Sequence, residues 1–250
     1  MSIAAPASNA AAWRQLFRTA NVFTAASNVV AGFLIVQGKW TPMAPLTVLI
    51  VASMCLYEAG MVLNDVFDAK LDAIERPERP IPSGRIAKRT AATVGWTLLA
   101  IGVACSWWAS WLVGHGIAGL IGSLLALAIV QYNGGLKAVW VGLIAMGWCR
   151  VLNVLLGASV ARDLSQRYDA MGYALLVGLY TIGLTYVARS ETVGSVAQML
   201  QKRVTVTRLI QGFIVLDAIA ATAAAGWQAG LIVLALLIPT LLLARTAPMT

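Results

Sequence analysis

An all-α, polytopic transmembrane helix bundle is the fold class this sequence predicts, and three observations carry it. Hydrophobic residues fill 60 % of the 250 positions against 11 % charged, and mean hydropathy is +0.80. Apolar stretches recur at the length a helix needs to cross a hydrocarbon core, about 20 residues for roughly 30 Å. The stretches are continuous, whereas a transmembrane β-barrel would alternate over about ten residues.

Eight helices are expected in chain order, at 21–37, 43–64, 90–113, 116–132, 138–160, 170–188, 209–225 and 228–245. The first follows Arg14 and Arg18 and is too long for a cleavable signal. The second ends in a run of acids, and the third ends in Trp107, Trp108 and Trp111, suited to an aromatic belt. The fourth is short. The fifth carries Arg150 and Asn153, the sixth ends at Arg189, the seventh is Ala-rich, and the eighth closes the chain. No soluble domain has room beside them, so residues 1–250 read as one membrane domain around a central cavity open to the cytoplasm. Cys55, Cys105 and Cys149 lie far apart without metal-type spacing and read as packing residues.

A net charge of +8 would suggest nucleic acid in a soluble protein, but here it sets topology and no nucleic-acid partner is expected. With the N-terminus cytoplasmic, 14 of the 18 Lys and Arg fall on that side, while Lys39, Arg162 and Arg167 fall outside and Arg150 lies within a helix. The localisation expected is a cell or inner membrane, with two cytoplasmic cap stretches at about 65–89 and 189–208.

Function is read from the acids. The chain has ten Asp and Glu, and six of them (Glu58, Asp65, Asp68, Asp72, Glu75, Glu78) fall between positions 58 and 78. In a continuing helix, the i, i+3, i+7 spacing places Asp65, Asp68 and Asp72 on one stripe, with Glu58 two turns deeper. Such hard oxygen donors suit Mg²⁺, which typically binds one or two carboxylates plus phosphate and water oxygens. The following Arg76-Pro77-Glu78-Arg79-Pro80-Ile81-Pro82-Ser83-Gly84-Arg85 reads as an ordered turn, because its prolines and Gly84 break a helix.

Polar groups inside apolar stretches are costly unless paired. Arg150 needs an anion, with Glu58, the Asp stripe and a ligand as the options. Asn28 reads as an interhelical hydrogen-bonding residue, and Asp217 as a kink or helix contact without an assigned role.

Asn64–Asp72 has the pattern N-D-x-x-D-x-x-x-D and is followed by Arg79-Pro80 and Ser83-Gly84. This resembles the first Asp-rich motif and trailing turn of the UbiA superfamily of intramembrane prenyltransferases. Arg18 and Asn21 resemble that family's pair entering helix 1, Tyr132 through Lys137 its Tyr-to-Lys element, and Gly147 through Asn153 its helix 5 Arg/Asn element. The family's second Asp-rich motif is replaced by Arg189-Ser190-Glu191, and the family usually has nine helices. The replacement is most similar to the EboC-like branch.

The resemblance implies Mg²⁺-dependent transfer of an isoprenyl group from an allylic isoprenyl diphosphate to an unidentified acceptor within the bilayer. It implies metal binding by Asp65, Asp68, Asp72 and Glu191, and catalytic roles for those three aspartates, Lys137 and Arg150. It implies substrate binding by Arg18, Asn21, Asn64, Tyr132, Asn153, Arg79 and Arg189. Two other classes stand beside this reading: a catalytically reduced protein that binds or exports a prenyl lipid within an assembly, and a transporter with acids at membrane depth.

Overall fold

Each of the expected apolar stretches is helical, as a bilayer requires of a chain that cannot hydrogen-bond its backbone to lipid. The structure, a computed structural model, describes residues 9–138, 140–163, 168–189 and 196–244, with helices and turns and no strand among them. A short α1 (Asn9–Phe17) leads into α2 (Val22–Gln37), followed by α3 (Met43–Glu75), α4 (Lys88–Val113) and α5 (Ile117–Asn133). A single 3₁₀ turn at Leu136–Ala138 precedes α6 (Val141–Ala158) and α7 (Tyr168–Arg189). Then come α8 (Val196–Ala225), α9 (Trp227–Leu234) and α10 (Leu237–Ala244).

Among the described residues, six spans are long and apolar enough to cross a membrane: α3, α4, α6, α7, Val204–Ala225 of α8, and Trp227–Ala244. The pair α1–α2 passes the same test as one span bent by 42°, and α5 is a shorter apolar helix. This is an integral membrane protein.

Two helices differ from the apolar runs that announced them. The second stretch ends at 64 by hydropathy, yet α3 stays helical to Glu75. Nothing between Asn64 and Glu75 breaks a helix, and the first proline comes at Pro77. The non-helical part of the first cap is therefore 76–87. At the other end, 228–245 is split into α9 and α10. Pro239 has no N–H for the Ala235 carbonyl, which instead accepts from the Ile238 N–H at 3.0 Å.

The helices pack as two rings that share the α2–α6 pair. One ring runs α2–α3–α4–α5–α6, and the other α2–α6–α7–α8, with α9 laid against α8. The shared seam is a close backbone crossing. A Cβ at Gly32 would overlap the Val154 carbonyl, and a Cβ at Gly157 would overlap the Val29 carbonyl. Small residues allow this approach in lipid, where association rests on packing and interhelical hydrogen bonds. Phe33, Leu49, Leu56, Leu156 and Val233 fill the core around the seam. Trp107, Trp108 and Trp111 are exposed on the outer surface of α4.

Candidate active site

The acidic stripe forms because α3 keeps helical geometry past its apolar part. Asp65 and Asp72 are buried and Asp68 is half-buried. Each carboxylate meets a cation brought from another segment. Arg79 donates to Asp72 Oδ2 at 2.8 Å and reaches Asp65 Oδ1 at 3.5 Å. Arg18 Nη2 lies 3.6 Å from Asp65 Oδ1. Lys137 Nζ, on the 3₁₀ turn after α5, lies 2.6 Å from Asp68 Oδ1 and donates to Asn64 Oδ1 at 3.1 Å.

Local sequence explains how those cations arrive. In the 76–87 turn the Ser83 hydroxyl donates to the Arg79 carbonyl at 2.7 Å, and Gly84 adopts φ +76°. The Ile86 N–H donates to the Pro80 carbonyl at 3.0 Å, and Arg85 donates to Gln15 Oε1 of α1 at 3.1 Å. Ile81 and Ile86 are buried against Leu16, Val62 and Val66. The turn is thus clamped on α1 and α3, with Arg79 laid over the stripe. Arg18 sits at the bend between α1 and α2 with φ +49°, a left-handed conformation that is strained for a side-chain-bearing residue and that recurs at functional sites.

Below the stripe lies a cavity of about 240 Å³. Arg18, Asn64, Tyr132 and Asn133 stand at its polar end, Leu56, Met61, Leu125 and Ile129 form apolar wall, and Arg150, Asn153, Ser53 and Tyr57 line its deeper part. Arg150 therefore reaches the cavity from inside the bundle. Its Nη1 donates to Asn28 Oδ1 at 2.9 Å and the Thr24 carbonyl at 3.3 Å, and its Nη2 to Thr24 Oγ1 at 3.0 Å. The guanidinium carbon lies 4.5 Å from the Phe213 ring centroid and 5.5 Å from that of Tyr57.

Asn153 ties three helices: its Oδ1 accepts from Ser53 Oγ at 2.7 Å and its Nδ2 donates to the Ala25 carbonyl at 2.9 Å. Asn21 is buried at the start of α2 and hydrogen-bonds Tyr57.

The donors present fit a hard divalent cation of the kind the family implies. Among the described residues no three His, Cys, Asp or Glu side chains converge into a closed cage. Mg²⁺ does not need one, since it takes one or two carboxylates and completes its shell with phosphate and water. Asp65 and Asp68, one helical turn apart beside Asn64, supply that kind of donor.

With the geometry in place, comparison with known proteins decides the family. The model of the UbiA prenyltransferase family matches residues 25–248. This chain belongs to the UbiA prenyltransferase family. It is 40 % identical over 92 residues to the digeranylgeranylglyceryl phosphate synthase of Methanopyrus kandleri, covering 37 % of this chain and 33 % of that one. It is 32 % identical over 127 residues to the synthase of Sulfurisphaera tokodaii, covering 50 % and 44 %. The matched stretch thus spans between a third and a half of these relatives. A solved structure described as digeranylgeranylglyceryl phosphate synthase in membranes superposes with a TM-score of 0.59 at 18 % identity. It covers 95 % of this chain and 96 % of that one, so the UbiA fold is shared.

The structure of this UbiA-family chain brings Arg18, Asn64, Asp65, Asp68, Asp72, Arg79 and Lys137 together, with Tyr132, Arg150 and Asn153 on the cavity wall. Glu191 lies outside the described residues, as does the side chain of Arg189, which ends α7. Among the options for Arg150, Glu58 is not its partner: Glu58 Oε2 is buried without a hydrogen bond, and Arg150 turns to α2 instead. Asp217 is a helix contact: fully buried on α8, it accepts from Ser27 and Asn28 of α2 and from Tyr173 of α7. Tyr57 and Asn133 were missed by the sequence reading. Tyr57 had a signal, standing seven residues before Asn64 and so on the same face of α3. Asn133, whose Nδ2 donates to the Gly60 carbonyl at 3.2 Å, had none beyond adjoining Tyr132.

Proposed function

We propose that this protein transfers an isoprenyl group from an allylic isoprenyl diphosphate to an acceptor held in the same cavity. One observation carries the reading. In a UbiA-family fold, an acidic stripe matched by Arg18, Arg79 and Lys137 stands at the polar end of a largely apolar cavity. A diphosphate needs cations at its oxygens, and an isoprenyl tail needs apolar walls.

In this reaction the allylic C–O bond breaks heterolytically and its electron pair leaves on the diphosphate. The allylic cation is then captured by an electron pair of the acceptor, which gives up a proton. The diphosphate carries about three negative charges, so groups fixed where that charge develops lower the barrier. Arg18 and Lys137 serve this at the cavity mouth, and Arg79 and, from the second cap, Arg189 add donors. Asn64 and Tyr132 orient phosphate oxygens. Asn21 and Asn153 hold the α2 side of the wall. Arg150 lies beside Tyr57, about 10 Å below Asn64 at 1.5 Å per residue, and adds positive charge from the deeper wall. The apolar walls exclude water that would quench the cation.

Asp65 and Asp68, with Asp72 and, from the second cap, Glu191 as further carboxylates, would hold Mg²⁺, which would supply Lewis-acid neutralisation of the diphosphate charge. The excess of Lys and Arg on the loops at this end of the cavity supports a cytoplasmic orientation for it. Arg189-Ser190-Glu191 keeps the likeness to the EboC-like branch. That single acid also favours a second reading, a chain that binds a prenyl lipid without turnover.

The test is purified protein with Mg²⁺ and prenyl diphosphates of increasing chain length. Diphosphate release and product masses that depend on Mg²⁺ and chain length support transfer. Saturable binding without release supports the second reading. Neither binding nor release overturns both.

A further inference from the structure

Arg150 is a cation on the cavity wall whose direct partners among the described residues are all neutral: Thr24, Asn28 and two aromatic rings. Its counter-charge lies one residue further. Asn28 Nδ2 donates to both oxygens of Asp217, at 2.9 and 2.8 Å, while Asn28 Oδ1 accepts from Arg150. Asp217 is fully buried on α8, in the ring of helices that does not contain the cavity. It also accepts from Ser27 Oγ at 2.5 Å and from the Tyr173 hydroxyl at 2.6 Å. Three donors from two helices converge on one carboxylate, and one of them is an amide whose other end holds the guanidinium.

We infer that Asp217 is a positioning residue for Arg150, acting through Asn28. An Asn side chain presents a donor at one end and an acceptor at the other, and its neighbours decide which way round it sits. A carboxylate takes hydrogen bonds only as an acceptor, so it holds the NH₂ of Asn28 and turns Oδ1 toward Arg150. Polarisation along such a chain strengthens each bond in it. The named contacts engage three of the five guanidinium N–H groups, leaving Nε–H and one Nη2–H for a ligand in the cavity. Without the anion, the Asn28 amide is held at one end only, by the guanidinium it is meant to hold. Asn28 and Arg150 can then swing together, and the fork loses its fixed direction. The α2–α6 seam is what allows this: Gly32 and Gly157 bring the backbones close enough for Arg150 to reach Thr24 and Asn28.

The inference rests on the proposed role of Arg150 in substrate binding, and the experiment separates the two. Purified protein with ¹⁵N-labelled arginine is compared as wild type, Asp217→Asn, Asn28→Ala and Arg150→Met, the last identifying the Arg150 signal by its loss. Wild type is expected to show slow guanidinium rotation at Arg150, and both Asp217→Asn and Asn28→Ala to show it freed. Asn28→Ala removes a direct partner of Arg150 and so calibrates the freed signal, and Asp217→Ser takes the place of Asp217→Asn if that variant does not fold. A signal unchanged in a folded variant overturns the inference, whatever the protein binds.

A second arm titrates the tightest-bound of a series of prenyl S-thiolodiphosphates of increasing chain length, which does not ionise readily. Asp217→Asn is expected to weaken it at least five-fold when Arg150 is present and less than two-fold in Arg150→Met. An equal loss in both backgrounds marks a merely structural Asp217 and overturns the inference. Absence of binding by wild type counts against the proposed function alone and leaves the guanidinium signal to decide the positioning role.

Discussion

Arg79→Met tests the clasp over the acidic stripe. Arg79 Nη1 lies 2.8 Å from Asp72 and 3.5 Å from Asp65, and the side-chain exposures are 15 % for Arg79, 6 % for Asp72 and 7 % for Asp65. Deleting the guanidinium leaves two largely buried carboxylates with one cation fewer between them. Removing one partner of a buried pair costs about 3–5 kcal/mol, and a hydrogen bond to a charged group contributes about 1.5–3 kcal/mol. Arg79 still touches water, so screening selects the low end, about 2 kcal/mol. That is roughly a 30-fold shift in the folding equilibrium. For a chain of this size it amounts to about 4–8 °C in Tm. The assay is thermal unfolding in one detergent, with Asp72→Asn and the double variant completing a cycle. The double variant should recover most of the loss, because a neutral amide at position 72 no longer needs the cation. Arg79→Lys should fall between, since an ammonium keeps the charge but not the fixed N–H directions of the planar guanidinium. A Tm for Arg79→Met within about 1 °C of wild type would refute the reasoning, as would strictly additive losses in the cycle.

Two further perturbations separate chemistry from scaffold. Lys137→Met removes a half-exposed partner of Asp68 and Asn64; it should cost about 1 kcal/mol or less in stability but lower turnover about 100-fold or more, read from kcat beside thermal unfolding. Gly157→Leu drives a side chain into the Val29 carbonyl and should collapse the yield of folded protein in gel filtration. Gly172→Leu, with open space around it, should express as wild type. Equal behaviour of the two glycine variants would contradict the close α2–α6 seam.

Much of the site was legible because its residues are neighbours in sequence or carry their spacing with them. Asp65, Asp68 and Asp72 fall on one stripe of any helix, so their grouping followed once α3 was read as continuing. The Arg79–Ser83–Gly84 turn was legible as a turn, and the structure adds that Ile81 and Ile86 anchor it against α1 and α3. Partnerships across the bundle were not legible. Arg150 has no sequence cue that sends it to Asn28 and Thr24 rather than Glu58, because that choice depends on how closely α2 and α6 cross. Asp217 lies 189 positions from Asn28, and hydropathy cannot indicate which helix face meets which. The break between α9 and α10 was foreshadowed only by Pro239, inside an otherwise uninterrupted apolar run.

The most direct test of the account is diphosphate release from a series of prenyl diphosphates of increasing chain length by the purified protein with Mg²⁺, wild type against Asp68→Asn. Asp68 is half-buried on the stripe and paired with Lys137 at 2.6 Å, so the isosteric amide should leave the fold intact. It removes the charge that the proposed metal and the lysine both need. The account predicts Mg²⁺-dependent release by wild type and a loss of about 100-fold or more in Asp68→Asn at unchanged Tm. Equal release by the two proteins would contradict it.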